Sequence, residues 1–144
     1  MKLTNALFLS LGITVVITAC HKPGCTDPLA DNYNEDAKSE DFSCGYTGSL
    51  TFWAKPDTRD SLITIGHEML RFELEGVLVD SIATSGFAST TGTCNGSRVK
   101  TISRSFVGNT ERNYKYRVKG FGYETIYEGF VLIKADDCES IELK

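Results

Sequence analysis

An apolar run that stops at a cysteine divides this chain before any fold is considered. Met1-Lys2 opens with a positive charge, and Leu3 to Ala19 follows without a charged residue. That stretch falls short of the roughly 20 residues a membrane-spanning helix needs, and Thr4, Asn5, Ser10, Thr14 and Thr18 dilute it. A basic start, a short apolar segment and small residues before the boundary describe a cleavable secretory signal. Residues 1–19 are expected to be removed. What remains to fold runs from Cys20 to Lys144 and carries all five cysteines.

The boundary itself, Ile17-Thr18-Ala19-Cys20, resembles the lipobox of bacterial lipoproteins. The resemblance implies that Cys20 takes a diacylglycerol on its sulfur, becomes the mature N-terminus and is then acylated there. Several acyl chains hold a protein to a bilayer almost permanently. It also implies the outer membrane of a Gram-negative cell. The residues after Cys20, His21-Lys22-Pro23-Gly24, contain no Asp, the residue that in some such bacteria retains a lipoprotein at the inner membrane.

Lipidation removes Cys20 from the disulfide count. Cys25, Cys44, Cys94 and Cys138 remain, an even set in an exported chain, where an oxidising compartment favours pairing. Four cysteines allow three connectivities. Cys25 and Cys44 bracket a short polar segment, and Cys94 and Cys138 lie in a longer apolar-patterned region. That difference favours Cys25–Cys44 and Cys94–Cys138. On a chain-entropy treatment the two loops contribute roughly 3 and roughly 4 kcal/mol.

The chain has 15 basic and 19 acidic residues. The acids concentrate between Cys25 and Cys44, as Asp27, Asp31, Glu35, Asp36, Glu40 and Asp41 against Lys38 alone. Bases concentrate later, as Arg98, Lys100, Arg104, Arg112, Lys115, Arg117 and Lys119 against Glu111. Nucleic acid is not an expected partner of an exported, membrane-tied protein.

The acidic stretch, Gly24 to Tyr46, reads GCTDPLADNYNEDAKSEDFSCGY. It resembles a short cysteine-bracketed motif common in secreted and surface proteins of some Gram-negative bacteria. Gly24-Cys25, Asp27, Ala30, Asn32-Tyr33-Asn34, Ala37, Glu40-Asp41, Ser43-Cys44 and Tyr46 carry the likeness. Phe42, where the pattern usually has Gly, and Asp31, where many copies have a further Cys, depart from it. With no periodicity, the segment is expected to be a compact loop stapled by its disulfide. Two roles are open. Asp27, Asp31, Asn32, Asn34, Asp36 and Asp41 offer the oxygen ligands that Ca2+ takes, although Ala37 and Ser43 break the EF-hand template. Alternatively, the segment is a solvated acidic spacer.

From Gly48 onward the pattern is that of strands. Leu70, Phe72 and Leu74 alternate with Arg71, Glu73 and Glu75. Tyr114, Tyr116 and Val118 alternate with Lys115, Arg117 and Lys119. Ser49–Ala54, Leu62–Ile65, the run from Val77, the run from Arg98, Tyr123–Lys134 and Ser140–Lys144 complete the strand-like segments. Lys55-Pro56-Asp57 and Asn95-Gly96 mark turns. About seven short strands with no helical stretch predict an all-β fold, a single small antiparallel β-sandwich over 48–144 preceded by the stapled acidic loop over 20–47. Gly48–Trp53, Tyr114–Gly120, Tyr127–Ile133 and the terminal DDCESIEL resemble the small transthyretin-like, carboxypeptidase regulatory-like sandwiches of surface lipoproteins. Residues 66–93 depart from that pattern, and the likeness brings no catalytic residue with it.

Catalytic spacings are missing. His67-Glu68-Met69-Leu70-Arg71 begins like a zinc-protease motif but has Arg71 at the second ligand position. There is no G-x-S-x-G elbow, phosphate loop or dinucleotide fingerprint. The expectation is a non-enzymatic protein with no required cofactor. It either displays the sandwich to a ligand or partner, or packs as a structural component of the envelope. Lys115, Arg117 and Lys119 are the candidate ligand residues. With Arg98, Lys100 and Arg104 on a neighbouring strand they would form one basic patch for an anionic envelope polymer or acidic protein face. The alternative is a solvated face that resists edge aggregation. Trp53 is either an exposed platform for a sugar ring or a buried aromatic at the sandwich edge.

Overall fold

The computed structural model describes residues 21–144, so Cys20 and the apolar run before it lie outside the described residues. The protein is an all-β sandwich with one short helix. Two two-residue strands come first, β1 (Pro23–Gly24) and β2 (Ser39–Glu40), paired with each other inside the acidic motif. The sandwich follows as β3 (Gly45–Ala54), α1 (Pro56–Thr64), β4 (Met69–Leu74), β5 (Val77–Ala83), β6 (Lys100–Val107), β7 (Glu111–Lys119), β8 (Thr125–Lys134) and β9 (Cys138–Leu143). One sheet has the order β6-β3-β9 and the other β5-β4-β7-β8.

Alternation builds the core. Leu50, Phe52 and Ala54 of β3 face Leu70, Phe72 and Leu74 of β4, with Val118, Val131 and Ile133 beside them. Phe52 is the hub, with its ring 4.9 Å from Phe72 and 5.4 Å from Tyr116. Phe87 packs at 5.9 Å from Phe72 and, with Leu62 of α1, belongs to the same core. Burying aromatics of this size contributes roughly 1.5–3 kcal/mol each before entropy is counted.

Three features correct the sequence-based picture. The stretch Leu62–Ile65 is not a strand, because α1 occupies Pro56–Thr64. Pro56 stands at the first helical turn, where its missing N–H is harmless, and Asp57 favours the positive helix end. The sheets are not wholly antiparallel. The turn at Ala135–Asp137 carries the chain from one sheet to the other, and β9 arrives parallel to β3. Finally, β6 and β7 are not neighbours but belong to different sheets.

Two glycines answer to close approach. A Cβ on Gly48 would lie 2.1 Å from the Lys134 carbonyl oxygen. One on Gly129 would lie 2.7 Å from the Tyr116 hydroxyl. Gly129 therefore marks close approach. The bulge on β8 lies earlier, where Val118 pairs with Tyr127 but Lys119 pairs with Thr125.

The disulfides pair as expected, Cys25–Cys44 and Cys94–Cys138. The second does not rivet the sheets together. It lies on the outer side of β3, where buried Thr51 reaches both sulfurs, Cys94 at 3.2 Å and Cys138 at 3.6 Å. It ties the loop that precedes β6 down over that face. Gly92 of the same loop lies so close to Trp53 that a Cβ there would be 2.3 Å from the indole nitrogen. Trp53 is half-buried beneath it. Two disulfides fit an oxidising, extracytoplasmic setting. Among the described residues no helix is long and apolar enough to cross a membrane.

Candidate functional site

The acidic motif is a closed cap. Asp27 accepts the Leu29 N–H at 2.9 Å and the Tyr46 hydroxyl at 2.7 Å. Asp31 accepts the Thr47 hydroxyl at 2.7 Å. Asn32 accepts the Gly45 N–H and donates to the Ser43 carbonyl, both at 2.8 Å. Asn34 accepts the Asp36 N–H, Asp36 pairs with Lys22, and Asp41 accepts the Ser43 N–H. Glu40 accepts from the Thr26 N–H and hydroxyl and from the Phe42 N–H. These bonds favour the charged forms. The Leu29 N–H, then Tyr46, hold Asp27 below the usual carboxylate range. The Thr26 N–H does so for Glu40, and the Ser43 hydroxyl and N–H for Asp41. Tyr46, donating to Asp27, is pushed up to about 12.

The six candidate calcium ligands thus spend oxygens on backbone N–H groups, on the Tyr46 and Thr47 hydroxyls and, for Asp36, on the Lys22 amine. Among the described residues, the one cluster of three His, Cys, Asp or Glu side chains at metal-binding spacing is Cys25, Glu40 and Cys44. Its sulfurs are joined to each other and are not thiolates. The motif is also continuous with the sandwich. β3 begins at Gly45, Tyr46 is buried, and Gly108 donates to the Cys44 carbonyl at 3.0 Å. Cys25, Ala30, Cys44 and Tyr46 of the motif belong to the same core cluster as the sandwich.

The basic stripe is neutralised where it stands. Lys115, Arg117 and Lys119 share the outer face of β7. Glu128 lies 3.1 Å from the Lys115 amine and 3.4 Å from the Arg117 guanidinium, and Glu73 lies 2.7 Å from Lys119. Lys115, then Arg117, draw Glu128 below its ordinary pKa. Lys100 and Arg104 do not join them, since β6 is in the opposite sheet, and Arg98, just before β6, donates to the Ser85 carbonyl at 3.3 Å. Lys100 instead pairs with Asp80 of β5, linking one sheet to the other.

The arrangement that sequence reasoning missed is the turn between β7 and β8, Gly120-Phe121-Gly122-Tyr123-Glu124. Arg71 donates from one guanidinium nitrogen to the Gly120 carbonyl at 3.0 Å and the Phe121 carbonyl at 3.2 Å. Its guanidinium carbon lies 4.4 Å from the Tyr123 ring centroid and 5.8 Å from that of Phe121. His67 holds Glu124 at 2.8 Å on the other flank. Tyr123 takes φ 66°, a left-handed conformation uncommon for a bulky side chain. Despite these restraints, Phe121 is 60% and Tyr123 66% exposed. Two aromatic rings are held in place with much of their surface in water. Arg71, which spoils a zinc motif in the sequence, is their clamp.

The cap and this turn occupy opposite ends of the sandwich. At the cap end Thr110 accepts the Ala135 N–H, Thr47 accepts the Asp136 N–H, and Glu111 pairs with Lys134. From Glu111 the nine residues of β7 run to Lys119 beside the turn, a length of roughly 30 Å at the rise of an antiparallel strand.

Comparison with family models, with curated proteins and with solved structures found no match to this chain.

Proposed function

We propose that the protein is a non-enzymatic, lipid-anchored envelope lipoprotein that presents the Phe121–Tyr123 turn to a partner. Acylation at Cys20 ties the chain to the bilayer, most simply the outer membrane, and the acidic cap forms the membrane-proximal end. The observation that carries this reading is the placement of the clamped aromatic turn at the end of the sandwich opposite the acidic cap, the cap being where the described chain begins. Exposed aromatic surface on a rigid element favours binding, because little conformational freedom is left to lose. Arg71, His67 and Glu124 supply polar groups around the rings for orientation.

Two experiments test it. Metabolic labelling with a fatty-acid probe is expected to mark the wild type and not Cys20→Ala; label on the mutant rejects the anchor. Cross-linking of the full-length protein in its own cells, followed by identification of captured partners, is expected to lose its specific product in the Phe121→Ser, Tyr123→Ser variant. An identical product from that variant rejects the turn as the binding surface.

A further inference from the structure

The four strands that end the sheets are not equally protected. β5 has seven residues, is bulged against β4 and is tied to the other sheet by Asp80–Lys100. β9 has six residues and carries Glu139 and Glu142. β6 has eight residues and carries Lys100 and Arg104. β8 is the longest, with ten residues, and beyond its bulge it runs regularly from Tyr127 to Lys134. Among the described residues its far side has no strand partner, although the Lys134 carbonyl at its end already accepts the Asp137 N–H at 3.3 Å. A long regular edge offers a row of unpaired N–H and C=O groups, which proteins ordinarily blunt with bulges, proline or short length.

The side chains on this edge are self-complementary. Gly129, Val131 and Ile133 point inward, while Glu128, Phe130, Leu132 and Lys134 line the outer face. Phe130 is 76% exposed, with the Lys115 amine 6.0 Å from its ring centroid. Lys134 is exposed and has no ion-pair partner among the described residues. Consider a second copy laid antiparallel against β8 with a two-fold axis at Val131. Phe130 then stands opposite Leu132 of the other copy, and Glu128 opposite Lys134, and each pair occurs twice. The exposed aromatic gains an apolar neighbour, and Lys134 comes opposite Glu128, which already bridges Lys115 and Arg117 within its own copy.

We infer that β8 is a dimerisation edge, at which two copies join antiparallel about Val131 into one continuous eight-stranded sheet. This does not depend on the aromatic turn, which lies at the β7–β8 connection and stays open in the pair. Confinement of both copies to one membrane would raise their effective concentration and favour the pairing further.

Sedimentation of the full-length protein in mild detergent, over a wide concentration range, tests it. The wild type is expected to reach a dimer. Lys134→Glu sets Glu against Glu128 of the other copy, and Phe130→Lys removes the aromatic contact. Each is expected to weaken the dimer by roughly tenfold or more. Circular dichroism on each variant separates loss of pairing from loss of folding, because Lys134→Glu breaks no ion pair among the described residues of the monomer but sets a carboxylate opposite Glu111 of β7. A wild type that stays monomeric throughout overturns the inference. So does a dimer indifferent to both single variants.

Discussion

The Tyr46 hydroxyl donates to the Asp27 carboxylate at 2.7 Å, from a strand of the sandwich to the acidic cap. This bond couples cap and sandwich to pH from both sides. Tyr46 is raised from 10.0 to about 12, so its contribution to stability is complete below pH 10 and is lost as pH rises toward 12. Asp27 is lowered from 3.8, so its contribution is complete above that value and is lost as pH falls through the depressed one. In an ultraviolet titration of the six tyrosines, Tyr46 is expected to ionise among the last. Tyr46→Phe is expected to remove that late phase, move the Asp27 titration upward by NMR, and lower Tm by a few degrees. A late phase that persists in the variant contradicts the assignment.

Removing the outer disulfide is expected to uncover Trp53 without separating the sheets. Cys94→Ser with Cys138→Ser frees the loop that covers Thr51 and Trp53. The expected cost is about 2–4 kcal/mol, with a red shift of the single tryptophan's emission and unchanged strand content by circular dichroism. Collapse of the strand signal would mean that the bridge holds the layers after all.

Phe52→Ala is expected to cost about 3–5 kcal/mol, because it opens a cavity between both sheets at the point where Phe72 and Tyr116 converge. Phe130→Ala, on the outer face, is expected to leave monomer stability within about 0.5 kcal/mol of wild type. Urea unfolding of the two variants compares them directly.

Calcium is expected to leave the thermal transition where it is. Asp27, Asp31, Asn32, Asn34, Asp36 and Asp41 already have partners within the cap, at Lys22 or at the start of β3. A cation would have to displace those bonds before gathering the oxygens. A rise in Tm with millimolar calcium that magnesium does not reproduce would show that the turns give way to it.

Period-2 alternation made the interior readable. Leu70, Phe72 and Leu74, and Tyr114, Tyr116 and Val118, face inward as their spacing requires, although Tyr116 is only partly buried. The helix was hidden because α1 is nine residues long and buries Leu62 alone, leaving no stripe to detect. Its Lys55-Pro56-Asp57 start reads equally as a turn. The sheet membership of β6 was not legible either. Alternation reveals which residues face a core but not which layer a strand joins, so the two basic stripes looked mergeable. Glu75-Gly76, at φ 51° and 77°, is the tight turn that makes β4 and β5 a hairpin, and this was a local signal open to reading. The aromatic clamp was not, because Arg71 and Phe121 are 50 residues apart and meet only through the pairing of β4 with β7.

Backbone bonding in the cap begins early. The Lys22 carbonyl already accepts the Lys38 N–H at 2.9 Å, and β1 starts at Pro23. If Cys20 is acylated, at most His21 and Lys22 separate the anchor from β1. Two residues of extended chain reach roughly 7 Å. Under the proposed anchoring, such a leash would hold the cap at the bilayer, with the Phe121–Tyr123 turn at the far end of a strand roughly 30 Å long. The reach of the turn is then a property of the fold. A partner would have to come to that end to be bound, and lengthening the tether between Cys20 and Pro23 would loosen the geometry without altering any contact in the domain.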